Sequence, residues 1–174
     1  DEAPRPARVA PGIPGYPVSA AVICLELLAP LVAHLLGTSD PERPTLRAVV
    51  PHELPSKRGN EELIRVQLGR VGDRVVAVPL GRGAGAITTV VRADGLVRVP
   101  ATADGIAGGE AVDVELLRPI GEVLGTIIVI GSQDPCLAAL EDVLRAVHPQ
   151  YKLATSWSGD TEALGALDRG EAHV

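Results

Sequence analysis

Between residues 46 and 118 the chain carries a series of short, β-branched segments, and this pattern constrains the fold more than any other feature. VGD at 71–73 and ADG at 93–95 are typical of tight hairpin turns. Several short strands within so short a stretch predict a small β-barrel or sandwich, which we place over residues 46–118. The predicted strands are RAVV (47–50), ELIRVQLG (62–69), RVVAVPL (74–80), AITTVV (86–91), LVRVP (96–100) and AVDVELL (111–117).

The pattern changes to an α/β alternation after residue 125. TIIVIG (126–131) is a continuous apolar run, which is typical of a buried parallel strand. A helical spacing of apolar residues follows over 136–148, then a second strand over 151–156 and a second helix over 161–169. We therefore predict that residues 126–174 are the beginning of a doubly wound α/β domain, too short to close a core of its own.

An apolar helix is predicted over residues 20–36, after the proline-rich loop GIPGYPVS at 12–19. Glu26 near its middle and a length below about 20 residues argue against a membrane span. We expect this helix to be buried against a part of the protein upstream of Asp1. Residues 1–37 are accordingly predicted to be the end of an upstream α/β domain, and the chain to be a fragment of a longer protein.

Charge and cysteine usage exclude several classes of partner. The net charge is −6 and both signs are spread along the chain without a basic stripe, which argues against a nucleic-acid partner. Cys24 and Cys136 lie far apart without further ligands at metal-binding spacing, so no metal site is predicted in this chain. Both lie in apolar helical stretches, which favours buried, reduced thiols and a cytoplasmic location.

Four strings of the sequence resemble one enzyme family. PGIPGYPVSAAVICLELLAPLVAHLLG resembles the proline loop and following helix of the catalytic domain in the molybdopterin molybdenumtransferase family. LRAVVPHELPSKRGNEELIRVQL and VPLGRGAGAITTVVRADGLVRVPA, followed by GIAGGEAVDVELL, resemble its C-terminal β-barrel domain in the same order. The resemblance covers residues 11–118. The remainder resembles a periplasmic-binding-protein-like domain that is appended to some members.

The resemblance implies a transferase of molybdenum cofactor biosynthesis. Such an enzyme inserts molybdate into adenylylated molybdopterin and hydrolyses the adenylate with magnesium or another divalent metal. It works as a cytoplasmic homodimer, with each active site formed by the catalytic domain of one subunit and the β-barrel domain of the other. The metal would be bound by upstream residues, so we expect this chain to be inactive alone. The alternative is an oxyanion- or pterin-binding sensing module without catalysis.

The proline loop is the first candidate site. Pro14, Gly15, Pro17 and Ser19 match the family's loop, and a stiff loop at a helix N-terminus offers free N–H groups to an anion. The structural alternative is a rigid entry loop in which Ser19 only caps the helix.

Basic residues of the predicted barrel are the second candidate site. Lys57 and Arg58 lie where the family carries cations near its pterin and molybdate pocket, and Arg82 lies in the Gly-rich GRGAGA. The alternative is a solvated loop. Relatives carry Arg where we align Asn60, and serines at 84–85, which leaves molybdate and tungstate both open.

The α/β segment offers a third candidate, a small-anion site. Ser132 and Ser158 each stand between a predicted strand and a predicted helix, where ligands of open α/β sheets bind. The alternative is that both serines are N-caps. Asp134 and Asp160, which lie in the same turns, would repel an anion unless they are paired.

Overall fold

The computed structural model describes residues 10–39, 42–83 and 87–174. The part of the prediction that falls on residues 1–9, and the comparison with family serines at residues 84–85, lie outside these ranges. Within them the chain forms an N-terminal helix, a closed β-barrel and a small α/β unit packed on that barrel. The predicted mixed fold, a β-barrel followed by α/β elements, is confirmed.

The N-terminal helix runs from Pro17 to Leu36. It consists of α1 (Pro17–Ile23), a π-helical turn (Cys24–Leu28) and α2 (Ala29–Leu36). The π-helical turn is explained by Pro30. Its nitrogen has no N–H to donate to an α-helical hydrogen bond, and its ring would clash with the carbonyl group one turn earlier. The helix ends at Gly37, whose φ of 69° allows the left-handed cap.

The N-terminal helix is largely uncovered. Only 11% of its apolar window is buried, and Leu35 and Leu36 are 70% and 72% exposed. The described residues thus leave the helix without a covering surface, and its burial against a part of the protein upstream of Asp1 stays a prediction. By length and composition this one helix could cross a membrane, but soluble-protein helices and signal sequences satisfy the same criteria.

Five strands close the barrel, in the order β1-β4-β3-β5-β7. All neighbours are antiparallel except β1 and β4, which meet in parallel at Val49 and Val76. The predicted turn at 71–73 joins β3 to β4, with Gly72 at a φ of 57°. The strands are β1 (Thr45–Val49), β3 (Glu62–Val71), β4 (Arg74–Pro79), β5 (Gly95–Val99) and β7 (Ala111–Leu116).

Aliphatic side chains fill the barrel. Its core is a cluster of Val, Leu, Ile and Ala that includes Val66, Leu68, Val97 and Val114, each at most 1% exposed. β7 shows the expected alternation, because every second residue points inward and the others reach solvent. A short antiparallel pair, β2 (Leu54–Pro55) with β6 (Gly105–Ile106), covers one end and was not predicted.

The prediction of a strand over residues 86–91 is wrong. Residues Ile87–Arg92 form α3, a short helix against β3 and the N-terminal helix. The five barrel strands already pair with one another, so this segment finds no strand edge, and its β propensity is overridden. The hairpin predicted at ADG (93–95) is also wrong. This segment connects α3 to β5 and does not join two strands, and its Asp94 is buried.

The α/β unit follows α4 (Ile120–Val123). β8 (Thr126–Gly131) and β9 (Lys152–Trp157) pair in parallel as a separate two-stranded sheet. α5 (Pro135–Val147) connects them and α6 (Asp160–Asp168) follows. The backbone of His173 and Val174 bonds to β8 without forming a third strand.

One face of the two-stranded sheet packs on the barrel. Ile128 and Ile130 of β8 and Ala154 of β9 form a second core cluster with Val76 and Val78 of β4. The predicted fully buried strand therefore alternates, with Ile127 and Val129 only partly covered. The unit is too short to enclose its own core, as expected, and it uses the outer surface of the barrel instead.

Candidate functional site

A cleft of about 490 Å³ opens beside the loop between β2 and β3. We call it the Lys57 cleft. It contains two cations, Lys57 and Arg82, which the sequence singled out as site residues. Its lining consists of Pro55, Ser56, Lys57, Asn60, Glu61, Glu62 and Arg82.

Backbone bonds hold the loop that carries Lys57. The Ser56 N–H donates to the Asp104 carbonyl at 2.8 Å, and the Gly59 N–H donates to the Ala101 carbonyl at 2.8 Å. Gly59 has a φ of 94°, a conformation that few residues other than glycine adopt. The loop is therefore fixed at both ends, on either side of Lys57.

Glu62 organises the polar groups of the Lys57 cleft. Its Oε2 accepts a 2.8 Å hydrogen bond from the Ser56 hydroxyl, and its Oε1 lies 3.4 Å from Arg82 Nη1. Arg82 also donates to the Pro55 carbonyl. Lys57 forms no ion pair with the described residues, so its ammonium group can receive an anion.

Arg65 holds the chain in place at Gly81 and at Thr89. The sequence reasoning missed this residue. Its side chain donates to the Gly81 carbonyl at 2.7 Å and to Thr89 Oγ1 at 2.9 Å. Burial lowers the pKa of this guanidinium, with Glu62 acting against the shift. An Arg between the apolar residues Ile64 and Val66 of a predicted strand was the available signal, because a buried charge requires partners.

Arg58 points away from the Lys57 cleft. Its Nε lies 2.7 Å from Asp104 Oδ1, and both side chains are about 70% exposed (69% and 72%). It is not among the lining residues. The structure therefore separates two adjacent cations that the sequence treated together.

The proline loop does not reach the Lys57 cleft within one chain. α1 begins at Pro17, with Tyr16 as its N-cap and no side-chain cap. Ser19 is the third helical residue, so the capping interpretation of Ser19 is wrong. Pro14 and Gly15 precede the helix, and α1 packs against α3.

The two serines of the α/β unit have local partners. Ser132 Oγ donates to Asp160 Oδ1 at 2.9 Å, and Ser158 Oγ contacts the Gly159 carbonyl at 3.4 Å. Neither is an N-cap, because Asp134 caps α5 through the Cys136 N–H and Gly159 precedes α6. Asp134 has a lowered pKa for the same reason. The anion site at these serines stays a prediction.

Two further expectations concern metals and thiols. Among the residues that the structure describes, no three His, Cys, Asp or Glu side chains are grouped so that they could hold a metal ion. Cys24 and Cys136 are both exposed, so the prediction of buried thiols is wrong. Their helices leave much of their surface uncovered, which the helical spacing alone could not show.

The fold and the Lys57 cleft define this part of the chain as a small closed β-barrel with a cleft at one edge that carries two cations, Lys57 and Arg82, and two carboxylates, Glu61 and Glu62. Residues 47–117 match the family model described as MoeA C-terminal region (domain IV). The family match ends before α4, so the α/β unit lies outside it.

Known relatives agree with this assignment. The chain is 34% identical over 115 residues to Molybdopterin molybdenumtransferase 1 from two strains of Mycobacterium tuberculosis, which covers 63% of this chain and 27% of the relative. A solved molybdenum cofactor biosynthesis protein from Pyrococcus furiosus is similar with a TM-score of 0.51 and 32% identity, over 59% of this chain and 36% of that one. The chain thus spans about a quarter of the length of its curated relatives.

Proposed function

We propose that this chain contributes the β-barrel wall of an active site that inserts molybdate into adenylylated molybdopterin. Its barrel belongs to a family of molybdenum cofactor biosynthesis proteins, and the curated relatives are named molybdopterin molybdenumtransferase. The observation that carries the proposal is the Lys57 cleft, which presents Lys57 on a loop fixed by backbone hydrogen bonds and Arg82 from the segment that follows β4.

The chemistry of the substrates suits this cleft. Molybdate and the phosphates of an adenylylated pterin are oxyanions, and charge-assisted hydrogen bonds to ammonium or guanidinium groups are the strong ones. Lys57 supplies a free point charge. Arg82 is held by Glu62 and the Pro55 carbonyl, so less side-chain freedom is lost when it binds.

A homodimer gives the proline loop a role. Within one chain, α1, which contains Pro17 and Ser19, lies beside α3, and none of Pro14, Gly15, Pro17 and Ser19 lines the Lys57 cleft. In the proposed two-subunit site, the loop of one subunit faces the barrel of the other. The uncovered apolar N-terminal helix supports such a partner surface.

The divalent metal plays no part in the role that we assign to this chain. Among the described residues, no group of three or more His, Cys, Asp and Glu side chains could hold a metal ion. The role proposed for Lys57 and Arg82 is to bind and orient oxyanions.

Kinetics of the natural protein test the proposal. Lys57→Gln and Arg82→Gln each remove one charged hydrogen bond, so we expect kcat/KM for molybdate insertion to fall about 10- to 100-fold. The matched control is Arg47→Gln, an exposed Arg paired with Asp113. Folded variants of Lys57 and Arg82 with unchanged kcat/KM would contradict the assignment of this cleft.

A further inference from the structure

A second cationic cleft, of about 320 Å³, lies where the α/β unit meets the barrel. We call it the junction cleft. The barrel side supplies Gln67, Arg92 and Arg118, and the α/β unit supplies Arg145, Tyr151 and Lys152. It shares no lining residue with the Lys57 cleft, so the two can be altered separately.

Positive charge is in excess around the junction cleft. Glu141 is shared by Arg92, at 2.9 Å, and Arg145, at 3.0 Å. Asp94 lies between the other two cations, Arg118 and Lys152. Glu122 is a further carboxylate, and its charge acts on Asp94. Four cations thus face Glu141, Asp94 and Glu122, in a chain whose net charge is −6.

The cations beside Asp94 retain free donors. Arg118 Nε and Lys152 Nζ lie 3.7 Å and 3.8 Å from Asp94 Oδ1, distances too long for hydrogen bonds. Arg118 otherwise donates to the Ala93 and Val91 carbonyls through Nε and one terminal nitrogen, and Lys152 has one 3.4 Å contact, to the Glu122 carbonyl. Both therefore have N–H groups to offer a ligand.

Gln67 provides an independent indication of a ligand. Its residue is only 4% exposed, yet it lines the junction cleft and its side chain forms no hydrogen bond with the described residues. Buried polar side chains in native proteins usually have partners, so an amide that is left without one and opens toward a cleft is available to a ligand there. An amide beside several cations can donate to the same anion that they attract.

We propose that the junction cleft binds a small dianion, namely a tetrahedral oxyanion or the terminal phosphate of a small molecule. The cleft is at the lower end of the size range of ligand pockets. Because its walls come from both units, the dianion bridges them and strengthens their packing. The oxyanion site of the α/β unit then lies at Arg145 and Lys152, not at Ser132 and Ser158.

Calorimetric titration of the chain in a buffer free of competing oxyanions tests this proposal. The probes are inorganic phosphate, molybdate and glycerol phosphate, and we expect saturable binding of at least one. Arg145→Gln and Lys152→Gln each remove one charged contact, so affinity falls about tenfold for each. Gln67→Leu keeps the volume and removes the amide, so it also weakens binding.

The design separates loss of the site from loss of the fold. Arg145 is exposed and, among the described residues, pairs only with Glu141 in an i,i+4 contact, so Arg145→Gln keeps the thermal unfolding midpoint without added anion. Arg47→Gln is the matched control and keeps full affinity. Tighter binding of glycerol phosphate than of phosphate identifies a phosphate ester as the ligand, and equal affinity identifies a free oxyanion. No binding of any probe, or affinity unchanged in all three variants, overturns the proposal.

Discussion

Gly69 of β3 lies directly against Ile128 of β8, so closely that a Cβ atom on Gly69 would stand 2.8 Å from the Ile128 side chain and 2.7 Å from the Thr126 carbonyl oxygen. The absence of a side chain at residue 69 is what lets the α/β unit approach the barrel. Ile128 is fully buried there, in the cluster that joins the two units.

Gly69→Ala is expected to destabilise the protein by about 1–3 kcal/mol, because the added methyl group meets a backbone carbonyl that cannot move aside cheaply. Denaturant unfolding measures the change. Gly121→Ala is the matched control, since its Cβ would meet nothing within 4 Å. Equal stability of the two variants would mean that the units do not pack as described.

Glu26 connects the N-terminal helix to the barrel through ion pairs. It lies 2.6 Å from Arg43 and 2.7 Å from Arg98. Burial would raise the pKa of Glu26, but hydrogen bonds from Arg98 and Arg43 bring it below its ordinary value of 4.5. The stability that these ion pairs contribute is present above that ordinary value and is lost as pH falls through the lowered pKa.

Glu26→Gln is therefore expected to loosen the helix. Amide exchange in residues 21–36 should become about two- to fivefold faster at neutral pH, since partly exposed ion pairs contribute up to about 1 kcal/mol each. Asp113→Asn, which breaks an exposed pair with Arg47, is the control and leaves this exchange unchanged. Unaltered exchange in Glu26→Gln would show that other contacts hold the helix.

Asp94 makes the stability of the protein depend on pH with the opposite sign to that of Glu26. Burial raises the pKa of its carboxyl group above 3.8, and the Leu68 N–H, Lys152 and Arg118 offset only part of that shift. The folded state thus holds this proton more tightly than the unfolded state. The resulting stability is fully present below the unfolded pKa and is lost as pH rises through the folded pKa.

Comparison with Asp94→Asn isolates this effect from other carboxylates. The free energy of unfolding of the wild type, minus that of the variant, should increase as pH falls from about 7 to about 4. Denaturant titrations at several pH values provide the measurement. A difference that stays constant, or that decreases toward acid, would contradict the raised pKa.

Asp134, rather than Ser132, caps α5. Its side chain accepts from the Cys136 N–H at 2.8 Å. Asp134→Ala should lower the free energy of unfolding by about 1 kcal/mol, the usual cost of a lost N-cap. Ser158→Ala serves as the comparison and should change it by less than half as much, because Ser158 caps no helix. Equal losses would restore the serine caps that the sequence suggested.

Local signals predicted the elements that local forces determine. The turn at 71–73 and the end of the helix at Gly37 follow from glycine conformations, and both are observed. The prediction of a strand fails over Ile87–Arg92, because closure of the barrel is a long-range property and leaves this β-branched segment no strand to pair with.

The candidate sites show the same division. The family resemblance pointed to Lys57 and Arg58, and the Gly-rich GRGAGA pointed to Arg82. Arg58 leaves the cleft because it pairs with Asp104, which lies 46 residues further along the chain. The junction cleft could not be predicted at all. Its cations come from segments that are separated in sequence and meet only because Gly69 lets the α/β unit pack closely.

Formation of molybdenum cofactor by the natural protein is the most direct test of the central claim. The purified protein is incubated with adenylylated molybdopterin, molybdate and a divalent metal, beside the Mycobacterium tuberculosis molybdopterin molybdenumtransferase 1 as positive control. We predict molybdate-dependent formation of molybdenum cofactor, strongly reduced when Lys57 and Arg82 are both replaced by Gln. A folded natural protein that forms no cofactor, under conditions in which the mycobacterial enzyme does, would contradict the account.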